Sequence, residues 1–228
     1  MLVQNLHPWD VDVPRAQAIQ KELSSRISLV ESVQIDEIQW IGGADVAYCT
    51  ESNLLFGAIV VLRFPELSVV ETKWVRDRVT FPYVPGLLSF REAPVLVKAY
   101  RKLRRRPDAM IFDAQGIAHR RGFGLACHLG LLFDLPSVGC AKTRLVGDYS
   151  PVGIRRGDSS FLELEGRTVG KVVRTRTKVK PVFVSPGHRM SVQGAAELVL
   201  ATTRTSRLPE PIRMADQMVN QLKRERQL

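Results

Sequence analysis

The chain has 228 residues, 45% of them hydrophobic, enough for a full core and compatible with one large domain. Its longest apolar run, "LLFGAIVVL", is too short for a membrane span, and the start "MLVQNLHPWD" carries no export-type leader. Three cysteines, none in a CxxC, exclude a disulfide scaffold and point to a reducing cytoplasm, while a net charge of +10 and a pI near 9.9 call for a polyanionic partner.

In chain order, "PRAQAIQKELSSRI" spaces Ala18, Ile19, Leu23 and Ile27 as a helix that starts at Pro14. "QWIGGADVAY", "NLLFGAIVVLRF" and "SVVETKWVRDRV" are β-branched or alternating segments with short connections, which predicts an antiparallel meander. "FREAPVLVKAYRKLRRR" predicts a helix with Pro94 in its first turn. "DAMIFDA", "GFGLACHLGLLFD" and "PSVGCAK" then read as strand, helix and strand, paired in parallel. "FLELEGRTVGKVVRTR" and "KPVFVSPG" predict further antiparallel strands, and "SVQGAAELVLATTR" and "PIRMADQMVNQLKRER" two closing helices. The fold class expected is α/β: a mixed sheet of three antiparallel strands followed by parallel ones, helices on both faces, and one domain over residues 1–228.

Four acids stand out. Asp45 interrupts an apolar strand, where a charge is costly unless it is paired or coordinates something. Asp113 repeats the pattern at the carboxyl end of a strand, where open α/β sheets place ligands. Their strands are expected neighbours, so the two carboxylates would repel unless a cation lay between them, and hard oxygen donors suit Mg²⁺ or Mn²⁺. Glu92, near a helix start, and Asp216, in the last helix, are candidates to complete the set. Read singly, Asp45 and Asp113 serve equally as metal ligands or hydrogen-bonded core acids, and Glu92 and Asp216 read as surface acids.

"DAQGIAHRRGFG" sets Gly116, Gly122 and Gly124 around His119, Arg120 and Arg121. The glycines allow close backbone approach, the arginines suit phosphate, and the histidine either bonds a ligand or orders the loop. Lys142, after the strand "PSVGCA", can meet a phosphate oxygen or simply be a solvated loop lysine. "RKLRRR", "RTRTK" and "KRER" fit phosphate patches or exposed helix ends. The histidines and cysteines form no cluster with zinc spacing.

Taken together and in order, "GGADVAY", "PYVPGLLSFRE", "FDAQGIAHRRGFGLACHLG", "VGCAKTRLVG", "VSPGHRMS" and "LPEPIRMADQ" closely resemble endonuclease V, the deaminated-base repair nuclease family. The resemblance implies a ribonuclease H-like fold. It implies Mg²⁺- or Mn²⁺-dependent hydrolysis of the second phosphodiester 3′ to deoxyinosine in DNA, leaving 3′-hydroxyl and 5′-phosphate ends. By motif, Asp45, Glu92 and Asp113 match the family's catalytic and metal-binding acids. Asp216 matches a further metal position, and Lys142 the lysine near the scissile phosphate. Tyr83, stiffened by Pro82 and Pro85, matches the wedge that inserts at the lesion, and it can stack where the base was. Gly86, Leu88, Gly116 and His119 match segments around the extruded base. Two departures are Ala114, where the family has glycine, and Arg120, where it often has proline; the Ala114 methyl bears on the range of lesions cut. Alternatives are an inosine-specific endoribonuclease, since some relatives act on RNA, and a non-catalytic nucleic-acid-binding module. A junction resolvase shares the fold and the acids but has no need of the Pro-Tyr-Val-Pro mount. A monomer is expected.

Overall fold

The computed structural model describes residues 1–225. The meander forms as expected: β1 (Trp40–Cys49), β2 (Leu54–Arg63) and β3 (Ser68–Arg78) pair antiparallel. Helix α2 (Leu88–Arg101) then returns the chain to β4 (Ala109–Phe112), which lies parallel to β1. Helix α3 (Leu125–Phe133) leads to β5 (Ser137–Ala141), parallel to β4. Strands β6 (Ser159–Leu164), β7 (Arg167–Val173) and β8 (Val182–Pro186) complete one eight-stranded sheet in the order β3-β2-β1-β4-β5-β8-β7-β6. The remaining helices are α1 (Val13–Ser24), α4 (Val192–Ala201) and α5 (Glu210–Glu225).

Alternation along the strands assigns the two faces. Phe112 points into a core with Val95 and Leu96 of α2 and Leu129 of α3. Its neighbour Ile111 points to the other core, with Leu198 of α4 and Ile212 and Ala215 of α5. Each large aliphatic or aromatic side chain fully buried this way contributes about 1.5–3 kcal/mol over exposure. The helix starts follow local chemistry where the sequence supplies it. Asp12 caps α1 by accepting from the Arg15 amide at 2.9 Å, and Ser191 caps α4 from the Gly194 amide at 2.9 Å. Among the described residues no helix is long and apolar enough to cross a membrane.

Two expectations are corrected. Helix α2 begins at Leu88, so Pro94 is its seventh residue and not part of its first turn. Proline there removes one helical N–H. The helix also stops at Arg101, short of the arginine run. The amides of Arg104 and Arg105 leave the helix and donate to the Glu71 carboxylate of β3, at 3.0 and 2.9 Å.

Candidate active site

The sheet brings the first two acids side by side. Ala44 of β1 pairs with Phe112 of β4 in the parallel ladder, so the next residues, Asp45 and Asp113, stand next to one another at the carboxyl end of β4. Helix α5 packs on the sheet through Ile212, Ala215 and Val219 and carries Asp216 to the same place. Glu92 arrives on α2. It is the fifth residue of that helix, past the unpaired amides of the first turn, so the helix dipole does not account for it. Lys142 follows β5, the neighbour of β4, and its ammonium donates to Asp113 Oδ2 at 2.5 Å.

Electrostatics show how closely these groups sense one another. Burial pushes the Asp45 carboxyl up to about 7; the charges of Asp113 and Asp216 add to the rise, and the Val46 amide and Lys142 oppose it. Burial likewise lifts Glu92 to about 8, with Asp45 and Asp113 raising it further and Arg91 opposing. Lys142 feels the counterpart: burial works against its charge, but the bond to Asp113 and the Asp113, Asp216 and Asp45 charges hold it above its ordinary value. The four carboxylates thus make up more negative charge than one lysine offsets. Among the described residues, no three His, Cys, Asp or Glu side chains are gathered tightly enough to chelate an ion as placed. The donor set nevertheless fits a hard divalent cation: every donor is a carboxylate oxygen, and a cation among them would offset the cost of burying their charges, which is the main cause of the raised pKa values of Asp45 and Glu92.

Beside the acids lies a cavity of about 180 Å³, room for one planar heterocycle. Of the residues expected around a base, Tyr83, Pro85, Gly86, Leu88 and His119 line it, joined by Gln20, Ser89, Ala114, Gln115 and Leu145. None of the four acids lines it, but two of its lining residues adjoin them along the chain: Ala114 follows Asp113, and Ser89 lies one helical turn before Glu92. Tyr83 stands at the rim, 70% exposed, on a loop whose turn closes with the Leu87 amide on the Val84 carbonyl at 2.9 Å. Gly86 completes that turn at φ +80°, a conformation open to glycine. Its carbonyl is a hub: Gln20 Nε2, Arg121 Nη2 and His119 Nε2 donate to it at 3.0, 2.7 and 3.1 Å.

This hub engages both ring nitrogens of His119. Its Nδ1 accepts from the Arg121 amide at 3.2 Å, so its proton sits on Nε2, facing Gly86. With both ring nitrogens engaged, His119 orders the loop and forms part of the wall. Burial, then the Arg121 charge, press its pKa down to about 4, so the ring is neutral. Arg121 also bonds Gln20, through Nε at 2.6 Å, which leaves Arg120 as the exposed arginine of the pair. Gly116 lies outside the cavity wall: it packs on the end of β8, where a Cβ would fall 2.0 Å from the Pro186 carbonyl oxygen, and its amide donates to Ser185 Oγ at 2.7 Å. In "RTRTK", Arg174 is spent on the backbone carbonyls of Val152, Gly153 and Val179. In "KRER", Arg226 lies outside the described residues. A larger groove of about 730 Å³, lined by Trp40, Glu71, Lys73 and Arg104 to Arg106, sits near the start of β1 and away from the carboxylates.

The endonuclease V family model matches residues 21–217. The chain belongs to the endonuclease V family. It is 42% identical over 214 residues to endonuclease V of Nostoc punctiforme, covering 94% of this chain and 96% of that protein. The figure for the Roseiflexus castenholzii endonuclease V is 43% over 215 residues, covering 94% and 95%. Among solved structures, Bacillus subtilis endonuclease V superposes with a TM-score of 0.95 at 30% identity, covering 100% of this chain and 99% of that one. The catalytic domain of human endonuclease V gives 0.88 at 33% identity, covering 93% and 96%. Ciona intestinalis endonuclease V, solved with a 24mer DNA containing an inosine followed by a ribo-adenosine, gives 0.82 at 26%, covering 93% and 98%. The mixed sheet is therefore the endonuclease V fold, and the chain is a nuclease of that family.

Proposed function

We propose that this chain is a divalent-cation-dependent endonuclease that recognises deaminated bases in DNA, hypoxanthine first among them. It hydrolyses the second phosphodiester on the 3′ side and leaves 3′-hydroxyl and 5′-phosphate ends from which repair starts. The observation that supports this reading is adjacency: a cavity with room for one planar base has Ala114, the neighbour of Asp113, and Ser89, one helical turn before Glu92, in its lining, and an exposed tyrosine at its rim. Hypoxanthine pairs weakly with thymine, so extruding it costs less than extruding a matched base. Tyr83 stacks in the gap, worth roughly 1–3 kcal/mol, and the prolines either side of it limit the ordering needed on binding.

Asp45, Glu92, Asp113 and Asp216 are the residues that would hold Mg²⁺ or Mn²⁺. When bound, the ion supplies Lewis-acid polarisation of the phosphate and lowers the pKa of water. Lys142 stands where negative charge develops on the phosphoryl oxygens and offsets it. Glu92, acting through a water, is the acid suited to orient the attacking hydroxide. We take the enzyme to act as a monomer in a reducing compartment, in keeping with Cys49, Cys127 and Cys140, all free and buried.

The test is incubation in Mg²⁺ with matched DNA and RNA strands, each holding one internal inosine, with the nick mapped. The reading expects a single nick in the DNA, one phosphodiester beyond the lesion's own 3′ bond. Cutting of the RNA alone would reassign the enzyme to inosine-containing RNA, and no cutting of either would remove the proposal.

A further inference from the structure

The arginine run after α2 has no part in the site described so far. It is not a loose tail. Leu103 before it and Pro107 after it are buried, and the amides of Arg104 and Arg105 are tied to Glu71 of β3. Arg106 Nη2 donates to the Asp134 carbonyl at 2.8 Å. The backbone of the run is therefore fixed, while Arg104, Arg105 and Arg106 all stay exposed.

These arginines and Lys73 line the groove of about 730 Å³, in which the one acid is Glu71. That carboxylate is already engaged: it accepts both amides and pairs with Lys73 Nζ at 3.4 Å. Among the described residues, the side chains of Lys102, Arg104 and Arg105 form no hydrogen bond or ion pair; the bonds at Arg104 and Arg105 are those of the backbone. Arg105 lies over the Trp40 ring, 4.1 Å from its centroid, and Arg63 over the same ring at 5.2 Å. Stacking holds a guanidinium plane and leaves its N–H edge free for an oxyanion. It also gathers two like charges at one indole, a repulsion that a bound anion would offset. An adjoining groove of about 540 Å³ shares Thr72 and Lys73 with the first and adds Arg76 and Lys102, with no acid in its lining. The cations thus follow one path along β3, the end strand of the sheet. Such a path fits a chain of anions better than a single one.

We propose that this path is a second nucleic-acid site, which takes the phosphodiester backbone of a single strand that does not pass through the carboxylates. Arg104 and Arg105 donate to its phosphates through their planar forks, and Lys73 and Lys102 add point charges beside them. The separation from the acids requires a separate strand: Trp40 precedes Asp45 by five residues of β1, roughly 17 Å at about 3.3 Å per residue. Contacts of this kind go to the backbone, so the site reads neither sequence nor lesion. It tethers the enzyme to nucleic acid whether or not the catalytic face is occupied. Nucleic acid is the polyanion that a nuclease handles, and guanidinium forks match phosphate geometry; an acidic protein is the competing occupant.

The probe is a fluorescent, lesion-free oligo(dT) of about 12 nucleotides, with oligo(U) of equal length as the RNA arm, long enough to span a single-strand groove. Anisotropy is read in chelator so that nothing is cut. The parent should bind the probe, and should still bind it beside one equivalent of unlabelled inosine duplex. Arg104→Glu should weaken probe binding roughly tenfold and Arg105→Gln about threefold, each lowering the slope of log K against log salt by about 1. Loss with either strand supports the site. Arg104 stacks on no ring, so Arg104→Glu should melt within about two degrees of the parent. The comparison of variants uses a lesion-free strand and so does not turn on what the cavity beside Tyr83 binds. Parent-like binding and salt slope in both variants would overturn the proposal, as would displacement of the probe by the single equivalent of duplex. Poly-glutamate of equal charge binding as tightly, with the same losses in the variants, would reassign the groove to an acidic protein and overturn it too.

Discussion

The carboxylate group and the cavity beside Tyr83 adjoin along the chain but are held by opposite means. The acids ride on the sheet and on two helices packed against it, so their spacing is set by strand pairing and core packing. They are forced together against their own repulsion, and burial raises Asp45 to about 7 and Glu92 to about 8. The cavity is built from loops and a helix start, and what holds it is a network of neutral and cationic donors converging on one carbonyl, that of Gly86. One region is a group of buried acids that a cation would stabilise; the other is a cavity held in shape by donors on a single carbonyl. Chemistry and recognition are thereby separable, and each can be broken while the other persists.

The largest expected effect is on the acid side. Asp113→Ala or Asp45→Ala should lower single-turnover cutting by roughly a thousandfold or more while leaving inosine-duplex affinity within about threefold. A chelator should abolish cutting by the parent in the same way. Full-rate cutting by either variant in Mg²⁺ would break the assignment.

Next in size, the two regions should titrate in opposite directions. In the unfolded chain His119 returns from about 4 to its ordinary 6.5, so between those values the unfolded state binds the extra proton and stability falls as pH drops. For His119 this amounts to about 3 kcal/mol by pH 4. His7, His128 and His188 are lowered as well and act in the same sense. Asp45 runs the other way: its pKa falls from about 7 to 3.8 on unfolding, so the folded state binds the extra proton in that window and stability rises as pH drops. In chelator, Asp45→Asn should therefore melt above the parent at pH 8, with the gap closing towards pH 5. The Asp45→Asn/Glu92→Gln double variant should lose the opposing rise and show the histidine loss, as a fall in unfolding free energy from pH 6.5 to 4 in denaturant titrations. A flat profile would mean that the four histidines are not held neutral.

On the recognition side, Tyr83→Ala should remove roughly 1–3 kcal/mol of stacking from binding to an inosine duplex, and less from a single strand carrying the same base. Equal losses on both would deny it the wedge role. The smallest effect expected is that of Gly86→Ala. Alanine at φ +80°, with its Cβ 2.7 Å from Arg121 Nη2, should cost about 1–2 kcal/mol and lower the melting temperature by a few degrees. It should weaken inosine binding and leave ion binding as it was.

How far each region can be read from the sequence follows from the same contrast. An acid in a β-branched strand is conspicuous, and strand order then dictates which acids meet; Asp45 and Asp113 announce themselves for that reason. The start of α2 is harder to see, because its N-cap is Leu87 and no Ser, Thr or Asp marks it, so Pro94 looks closer to the helix start than it is. Gly116 carries a glycine signal, and in the fold that glycine lets the chain pack against the Pro186 carbonyl. Gln20 of α1 and His119 and Arg121 of the loop before α3 are ordinary in the sequence; their convergence on the Gly86 carbonyl exists only once those elements are assembled. Periodicity exposes what strands and helices do, and loop-built hydrogen bonding has no period.

The claim on which the rest stands is that acids from four elements act together on one divalent cation. Calorimetric titration of Mn²⁺ into the parent, Asp45→Asn and Asp113→Asn tests it without substrate or cutting. The account predicts saturable binding by the parent, weakened at least about tenfold in both single variants because each removes a charged ligand from one shared site. Parent-like affinity in both variants would show that the two carboxylates do not share an ion, and would contradict the account.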